Sequence, residues 1–451
     1  MNNNDLQPRE HWTTRLGFIL AAAGSAVGLG NIWRFPYVTG TQGGAAFLII
    51  YLIAIIFIGY PVMITEMTLG RKTQRNPVGA FKSLAPKTPW WLVGALGVFT
   101  GFVILSYYSV VAGWSLSYIF RAISGFTPDM DFADVFVGHI TGVGVPIFWH
   151  AVFMILTIGI IASGVVKGIQ RAVKTLMPIL FVLLFVLIVR ALTLEGAAEG
   201  LSFYLRPDFG AVTAITFNDA IAQAFFTLSL GMGAIITYGS YLSDQDTIGD
   251  NAAWVVGLDT VIAILAGFAI FPAVFALGLT PDAGPGLTFI TLPAVFAEMP
   301  LGSLFGFLFF LLLSIAALTS AISLLEVVVA WIVDEHGWAR KKAAIVLGAI
   351  IFLVGIPPVL GYSTWDGFEF LGMDVLDTYD WFANSIFLPL GGLLTAIFAG
   401  YVWQARNLQD EANRVEGSIN VGAWYGFMIK IVVPIAIAII MIVGLYQTFT
   451  G

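Results

Sequence analysis

Five polar side chains lie in the middle of stretches that are otherwise almost entirely apolar. They are Asn31, Thr227, Asp259, Thr319 and Ser320. Each presents an oxygen atom, and no imidazole or thiol joins them. Hard oxygen ligands with little fixed charge suit an alkali cation better than a transition metal. If the stretches meet at one depth, these residues predict a cation site built from amide, hydroxyl and carboxylate oxygens.

These polar residues also have local structural interpretations. The hydroxyls of Thr319 and Ser320 can bond back to the preceding helical turn, which is common in membrane helices. Asp259 can form a salt bridge with a basic residue, although its own stretch has none nearby. A charge near the bilayer centre costs about 2.5–3.5 kcal/mol on insertion scales and needs a partner. At this point the shared cation site and the local partners are alternatives.

The composition favours a membrane protein with many spans. Of 451 residues, 59% are hydrophobic and 10% are charged, whereas soluble domains have about 45–50% apolar and about 25% charged residues. The net charge of −7 argues against a nucleic-acid partner. The chain has no Cys, four scattered His and no Gly-Lys pair. These absences exclude disulfides, Cys-based metal sites, an HExxH zinc motif and a Walker A loop.

Eleven apolar segments are long enough to cross a bilayer, which takes about 20 mostly apolar residues. We number them segments 1 to 11, with predicted bounds 17–38, 45–70, 90–123, 146–163, 168–194, 213–242, 251–279, 302–334, 342–360, 378–402 and 424–447. Residues 1–16 are polar and do not resemble a cleavable signal peptide. Placing this tail in the cytoplasm puts 15 of the 20 Lys and Arg residues on the cytoplasmic side, as the positive-inside rule expects. The odd count then places the C-terminus outside.

Segments 1 and 6 carry glycines near their middles, in AGSAVGLGN at 23–31 and FTLSLGMG at 226–233. Each glycine costs roughly 1 kcal/mol against Ala in a helix interior, although glycines also permit close helix packing. The two segments stand five apart, as expected of two five-helix repeats of opposite topology. Paired, glycine-interrupted segments of this kind point to a transporter site. Unwound backbone there frees carbonyls for a cation and amides for an anion.

Charged and aromatic residues flank this layer on the outer side. Arg34 follows Asn31 by three residues, and Asp380 opens segment 10 on the same side. A bidentate pair between Arg34 and Asp380 would close an outer vestibule. Tyr108 in segment 3 and Phe226 in segment 6 are candidates for an aromatic lid beneath it, with ordinary packing as the alternative.

Two further carboxylates, Glu66 and Glu326, lie inside predicted spans. Glu66 precedes Arg71 by five residues. Its structural interpretation is a hydrogen bond to Arg71 or to a group in a loop. Proton exchange against a transported cation is the functional alternative for both glutamates, and the sequence does not decide between them.

Long motifs resemble those of the neurotransmitter:sodium symporter family. GLGNIWRFP at 28–36 resembles the first-helix signature of the family, FFTLSLGMGAIITYGSY at 225–241 its sixth helix, and ALTSAIS at 317–323 its eighth. The resemblance extends from about residue 9 to residue 447. The predicted count of eleven helices instead of twelve is similar to that of the bacterial multi-hydrophobic amino acid transporters.

The resemblance implies an all-α polytopic membrane protein with a leucine-transporter-like fold. That fold is a 5+5 inverted repeat, here with one extra helix and eleven transmembrane helices. The implied domains are a cytoplasmic tail at 1–16, a first repeat at 17–202, a second repeat at 203–402, and the eleventh helix with an extracellular C-terminus at 403–451.

The implied function is sodium-coupled symport of hydrophobic L-amino acids, aliphatic and aromatic, by alternating access. We expect a bacterial inner-membrane protein that binds two sodium ions and an amino acid and is a monomer or weak dimer. A membrane-embedded enzyme is disfavoured by the mid-depth residues, and a channel or sensor by the two broken segments. Chloride is expected to be unnecessary, since Asp259 supplies a fixed carboxylate where many bacterial relatives have Asn.

Carried over residue by residue, the resemblance implies the following sites. The first sodium site uses Ala26, Asn31, Thr227 and Asp259, together with the substrate carboxylate. The second uses Gly24, Val27, Ala316, Thr319 and Ser320. The substrate contacts are Ser25, Ala26, Leu29, Gly30, Ile104, Tyr108, Phe226, Thr227, Ser229, Met232, Ser320 and Leu324. The outer gate is Arg34–Asp380 with Tyr108 and Phe226, and the inner gate is Arg9, Trp12, Ser240, Tyr241 and Asp334.

Two positions in the implied pocket differ from the leucine-preferring bacterial members. Ser25 stands where those proteins have Asn, and Met232 stands where they have Phe. Methionine is flexible and repacks around different shapes. The pocket is therefore predicted to take bulky hydrophobic side chains, including aromatic ones.

Overall fold

A computed structural model describes residues 10–279 and 286–450, and this part of the chain is almost entirely helical. Its extended pairing is limited to an isolated bridge between Phe370 and Met373. Helices are expected for such an apolar chain, because the bilayer offers no water to satisfy backbone amides and carbonyls.

Nine of the predicted segments, within the described residues, form helices that are long and apolar enough to cross a membrane. They are Ala45–Thr73 (segment 2), Trp91–Ser124 (3), Gly144–Ala162 (4), Val165–Leu192 (5), Ile248–Ala276 (7), Gly302–His336 (8), Arg340–Leu360 (9), Val375–Val402 (10) and Trp424–Tyr446 (11). Shorter helices occupy the loops at Pro77–Leu84, Phe132–Ile140, Ala197–Leu205, Leu287–Glu298 and Ala405–Ala412.

Segments 1 and 6 are both interrupted, as their glycines predict. Segment 1 consists of helices Arg15–Ala26 and Gly30–Thr41, bent by 50° at the break, and together they make a tenth candidate span. Segment 6 consists of Ala214–Thr227 and Ala234–Gly239, with non-helical backbone between them. Neither half of segment 6 is long enough to cross a bilayer alone, so the count of eleven spans stays a prediction.

Segment 8 lies at the centre of the bundle and segment 11 at its edge. The most apolar stretch of segment 8 is 83% buried inside the protein, whereas that of segment 11 is 22% buried. Segment 8 packs against segments 3, 4, 5 and 9, and the Arg15–Ala26 half of segment 1 packs against segments 5, 7 and 8. Residues of segments 1 and 8 are therefore placed to share a buried site.

Backbone conformation explains why segment 6 cannot continue as a helix. Ser229, Gly231 and Gly233 all adopt positive φ angles, of 54°, 79° and 75°. A Cβ atom on Gly231 would lie 2.4 Å from the carbonyl oxygen of Leu388. Glycine at this position thus meets both a conformational and a steric requirement.

One loop histidine is buried without a hydrogen-bond partner in the described structure. His139, in the loop helix Phe132–Ile140, is 2% exposed, and its ring centre lies 6.0 Å from that of Tyr118. Both ring nitrogens lack a partner there. Burial, reinforced by the nearby charge of Arg121, lowers the pKa of His139 from 6.5 to about 4.

This histidine should make stability fall as the medium is acidified. A pKa of about 4 in the folded state means that the unfolded chain binds more protons between about pH 6.5 and pH 4, so the free energy of unfolding falls across that window. His139→Phe, which keeps a ring against Tyr118, should flatten this part of the profile. Thermal unfolding measured at intervals across the window tests this, and identical slopes for the two proteins would contradict it.

Candidate functional site

The break in segment 1 exposes backbone groups that neighbouring side chains then satisfy. The helix ends at Ala26, and Val27 is extended at φ −73° and ψ 105°. The amide of Gly28 donates to Asn31 Oδ1 at 3.0 Å, and the amide of Leu29 donates to Tyr108 Oη at 3.1 Å. Residues from two segments thus hold the break open in a defined shape.

Asp259 forms the centre of a fully buried polar cluster. Asn31 Nδ2 donates to Asp259 Oδ1 at 2.7 Å, and Thr227 Oγ1 lies 3.1 and 3.2 Å from the two carboxylate oxygens. All three side chains have no exposed surface. No Lys or Arg lies within 4.0 Å of the Asp259 carboxylate in the described ranges. The salt-bridge alternative is therefore not what the structure shows, and oxygen atoms from segments 1, 6 and 7 converge here.

A second oxygen cluster joins segment 8 to the end of the first helix. Ser320 Oγ lies 2.9 Å from the carbonyl oxygen of Ser25, 3.2 Å from that of Val27 and 3.5 Å from that of Gly24. Thr319 Oγ1 contacts the Val27 carbonyl at 3.3 Å and, one turn back, the Ala316 carbonyl at 2.9 Å. Thr319 therefore makes both the local bond to its own helix and a contact with segment 1. Ser320 bonds to the backbone of segment 1.

The two breaks contact each other directly. Ser229, in the strained break of segment 6, donates its hydroxyl to the Ser25 carbonyl at 2.9 Å. A left-handed conformation at a residue other than glycine costs of order 1–3 kcal/mol and is often found at functional sites. Ser25 in turn donates to Ser323 Oγ at 2.6 Å. Ser323, one turn after Ser320, is a site residue that the sequence analysis missed.

A small cavity lies between the breaks. Its walls are formed by residues of segments 1, 3, 6 and 8: Ser25, Ala26, Gly28, Gly30, Ile104, Tyr108, Phe226, Ser229, Met232, Ser320 and Leu324. Ten of the twelve predicted substrate contacts are in this set. Leu29 and Thr227 are the exceptions, since Leu29 reaches Tyr108 through its amide and Thr227 reaches Asp259.

The cavity has room for only one or two water molecules, because the space that the centre of a water molecule can occupy is about 20 Å³. A larger guest would require its walls to move. Met232 can rearrange at low cost because its thioether chain is flexible, and the half-buried ring of Phe226 also lines the cavity.

Arg34 reaches a glutamine that the sequence analysis did not single out. Its Nη1 donates to Gln223 Oε1 at 2.6 Å, and the Gln223 amide donates to the Gly30 carbonyl at 2.8 Å. The guanidinium also lies 5.4 Å from the centre of the Phe226 ring. Asp380 instead accepts a bond from Asn384 at 2.7 Å. The predicted Arg34–Asp380 pair is thus not formed in the described structure, where Arg34 is hydrogen-bonded to Gln223 of segment 6.

Trp12, a predicted inner-gate residue, packs against the end of segment 6. The indole of Trp12 donates to the Tyr238 carbonyl at 3.0 Å, and its backbone amide donates to the Tyr241 carbonyl at 3.1 Å. Its ring also lies edge-on to both tyrosine rings. Trp12 is 8% exposed, so the indole is buried between segment 1 and the end of segment 6.

Two of the other predicted inner-gate residues have hydrogen bonds within the described structure. Asp334 accepts hydrogen bonds from the backbone and side chain of Asn76, at 3.0 and 3.2 Å. Ser240 donates to the Thr237 carbonyl at 2.5 Å. Arg9 lies outside the described residues.

Glu326 lies beside Tyr241, another predicted inner-gate residue, and has two hydrogen-bond partners. Tyr241 Oη donates to Glu326 Oε1 at 2.6 Å, and Arg340 pairs with the carboxylate through both terminal nitrogens. Arg340 also donates to the Ile161 carbonyl at 2.9 Å. The buried glutamate therefore ties segments 6 and 8 to Arg340 at the start of segment 9, which also contacts the end of segment 4.

Glu66 bonds to the broken part of segment 6 and not to Arg71. The amide of Gly231 donates to Glu66 Oε1 at 2.7 Å, while Arg71 pairs with Glu411 and with the Asp246 carbonyl. The alternative of a hydrogen bond between Glu66 and Arg71 is therefore wrong, because Arg71 contacts Asp246 and Glu411 in the loops after segments 6 and 10, whereas Glu66 contacts the break in segment 6.

Removal of this acceptor should distort the segment 6 break. Glu66→Ala would leave the buried Gly231 amide unpaired, which costs about 1–3 kcal/mol. We expect a lower unfolding temperature and at least roughly fivefold slower substrate uptake. Glu66→Gln retains an acceptor oxygen and should keep most of both properties. Equal losses in the two variants would show that the hydrogen bond to Gly231 is not what matters.

Comparisons with known proteins agree with this architecture. The model of the sodium:neurotransmitter symporter family matches residues 9–135 and 135–450. An uncharacterised sodium-dependent transporter of Bacillus subtilis (strain 168) is 40% identical over 439 residues, covering 96% of each chain. An uncharacterised sodium-dependent transporter of Haemophilus influenzae is 38% identical over 466 residues, covering 99% of this chain and 100% of the relative.

A solved structure matches the fold over nearly the whole chain. The crystal structure of MhsT in complex with L-phenylalanine superposes with a TM-score of 0.90 at 49% sequence identity, covering 97% of this chain and 100% of that one. The family resemblance and the fold class inferred from the motifs are confirmed. The chain therefore belongs to the sodium:neurotransmitter symporter family and is a sodium-dependent, multi-pass membrane transporter, not an enzyme.

Proposed function

We propose that this transporter uses the sodium gradient to carry hydrophobic L-amino acids, aliphatic and aromatic, across the bacterial inner membrane by alternating access. The main support is one juxtaposition: an apolar-walled cavity lies at two helix breaks and between two clusters of oxygen atoms. The phenylalanine bound to MhsT, a relative 49% identical to this chain, supports the same substrate class.

Two sodium ions are proposed as co-transported substrates. The first would bind among the Asp259 carboxylate, the Asn31 and Thr227 oxygens and the Ala26 carbonyl. The support is that Asp259 is buried and its contacts are polar and uncharged. A sodium ion there would supply the positive charge that a buried carboxylate needs.

The second sodium ion would bind between segments 1 and 8. Its ligands would be the hydroxyls of Thr319 and Ser320 and the carbonyls of Gly24, Val27 and Ala316. The hydroxyls already lie within 3.5 Å of these carbonyl oxygens. Hard oxygen atoms without a net charge match the preferences of an alkali cation.

The amino acid carboxylate is proposed to bind beside Tyr108. The Tyr108 oxygen accepts the Leu29 amide, so its hydroxyl hydrogen is available to donate to a carboxylate. The carboxylate would also complete the first sodium shell. Sodium then binds more tightly when the amino acid is present, and by linkage the amino acid binds more tightly with sodium.

The substrate side chain would lie against the apolar wall. Ile104, Phe226, Met232 and Leu324 line the cavity, and its lining includes no charged residue. A charged side chain would lose its water there without a compensating partner. The expected order therefore places leucine, tryptophan and tyrosine above alanine, and lysine and glutamate last.

Chloride should not be required, because the Asp259 carboxylate can supply the negative charge beside the first sodium ion. Replacement of chloride by gluconate should leave uptake unchanged. The same proposal places the N-terminus inside and the C-terminus outside, and describes a monomer or weak dimer with repeats at 17–202 and 203–402. It assigns the inner gate, and the outer aromatic lid of Tyr108 and Phe226, as the resemblance implies, without an Arg34–Asp380 pair.

Competition against sodium-dependent uptake of labelled leucine tests the substrate class. Unlabelled leucine, tryptophan and tyrosine should inhibit strongly at concentrations where alanine inhibits weakly and lysine does not inhibit. A result with lysine or glutamate as the strongest competitor would overturn the proposal.

A further inference from the structure

The start of segment 5 has no capping side chain of its own. The residue before the helix is Gly164, which adopts a positive φ of 100° and has no side chain to accept a hydrogen bond. The first amides of a helix find no acceptor within it. Here the amide of Gly168 bonds back to the Gly164 carbonyl at 3.1 Å, so the amides of Val165 and Val166 need acceptors from elsewhere.

Glu10 supplies these acceptors from the polar tail, 155 residues before Val165. Its Oε2 accepts the amide of Val165 at 2.6 Å and the amide of Val166 at 3.3 Å. A carboxylate also suits the partial positive charge of a helix N-terminus. Gly164 leaves room for this contact, since a Cβ atom there would lie 3.2 Å from Glu10 Oε1. The tail therefore caps segment 5.

A second contact joins the same two stretches of chain. The amide of Thr13 donates to Gln170 Oε1 at 3.0 Å, and Gln170 Nε2 donates to Thr13 Oγ1 at 2.5 Å. Gln170 is 4% exposed, whereas Glu10 lies at the surface. Residues 10–13 thus hold both ends of the first helical stretch of segment 5, Val165–Gln170, and the Glu10 contact is the one that water can reach.

Opposite charges hold the two sides of the turn between segments 4 and 5. Arg340 donates to the carbonyl of Ile161, near the end of segment 4, at 2.9 Å. A cation at a helix C-terminus and an anion at the next N-terminus are both favourable. Arg340 is also bonded to the buried Glu326, so its release would leave a buried charge without its partner. Release of the exposed Glu10 would not, and the segment 5 side of the turn is therefore the easier one to open.

Segment 5 packs directly on the second oxygen cluster. A Cβ atom on Gly24, whose carbonyl lies in that cluster, would be 3.4 Å from Met177 Sδ and 3.5 Å from Val173 Cγ1. We propose that Glu10 is a positioning residue that caps segment 5 from the tail, and that its release lets Val165–Gln170 open beside this cluster. The expected effect on sodium rests on the proposed function, whereas the cap itself does not.

Hydrogen exchange of the intact protein in lipid nanodiscs, followed by mass spectrometry of its peptides, tests the cap without transport. Glu10→Ala should speed exchange of Val165–Gln170 about fivefold, the effect of losing an N-cap. Glu10→Gln keeps an acceptor oxygen and should exchange nearly like the wild type. The end of segment 4, which Arg340 holds, should exchange equally in all variants. His11→Ala, at the neighbouring exposed residue, is the matched control and should match the wild type.

Sodium-dependent uptake of leucine tests the consequence for transport. In Glu10→Ala the sodium concentration for half-maximal uptake should rise by up to about fivefold, because sodium must also close the opened turn. Glu10→Gln should restore the wild-type dependence. Unchanged exchange in Glu10→Ala, or equal acceleration in His11→Ala, would overturn the cap. Faster exchange with unchanged sodium dependence would overturn its coupling to the cluster. Absence of sodium-dependent uptake in the wild type would count against the proposed function and leave the cap to be judged by exchange.

Discussion

Asp259→Asn is expected to weaken sodium binding and slow amino acid uptake in chloride-free medium, by roughly 70-fold at saturating substrate. Asp259 is fully buried among Asn31 and Thr227, so it is positioned to compensate the sodium charge. A charge left without such compensation near the bilayer centre costs about 2.5 kcal/mol or more. The measurement is uptake as a function of sodium concentration in proteoliposomes.

Chloride should partly restore the Asp259→Asn variant, because a mobile anion can replace the lost carboxylate. The wild type should not respond to chloride. Thr260→Val provides a control for disturbance of segment 7, since Thr260 is the adjacent residue and bonds back to the Val256 carbonyl of its own helix. Wild-type sodium affinity in the Asp259→Asn variant would exclude this carboxylate from the sodium site.

Gly28→Ala should reduce substrate binding about fivefold or more, although it adds a single methyl group. A Cβ atom at Gly28 would lie 2.3 Å from Ser320 Oγ and 2.8 Å from Tyr108 Oη. Both polar groups would have to move, and overpacking of this kind typically costs about 1–3 kcal/mol. Equilibrium binding of labelled leucine in the presence of sodium measures the effect.

Gly24→Ala is the matched comparison within the same segment. Its Cβ would lie 3.4 Å from the Met177 sulfur and from the Thr319 Cβ, distances of ordinary contact or slightly less. This variant should bind substrate within about twofold of the wild type, since volume changes that the neighbours absorb cost little. Equal losses in the two glycine variants would indicate general damage to segment 1 and would contradict the specific role of Gly28.

The sequence indicated the broken segments and most of the site because its signals there are local. Glycine runs at mid-span predict interruptions, and the positive φ angles of Gly231 and Gly233 show why glycine is needed. Polar residues at the same depth in segments 1, 6, 7 and 8 predict one buried cluster. The structure instead has two: Asp259, Asn31 and Thr227 form one cluster, and Thr319 and Ser320 of segment 8 form a second with the backbone of segment 1.

The partners of several residues could not be predicted, because they depend on how helices rotate against each other. Glu66 is close to Arg71 in sequence, but it faces the Gly231 amide of another segment. Gln223 reaches Arg34 from segment 6 in place of Asp380. A lone glutamine in an apolar segment is a signal that could have found Gln223, but the sequence analysis did not use it, and its partner is visible only in three dimensions.

The most direct test of sodium-coupled amino acid transport is uptake of labelled leucine and tryptophan into proteoliposomes containing the purified protein. An inward sodium gradient should drive accumulation of both above equilibrium, and replacement of sodium by potassium should abolish it. The recovered amino acids should be chemically unchanged. Equal uptake with sodium and potassium, or no accumulation by protein shown to be folded, would contradict the proposed function.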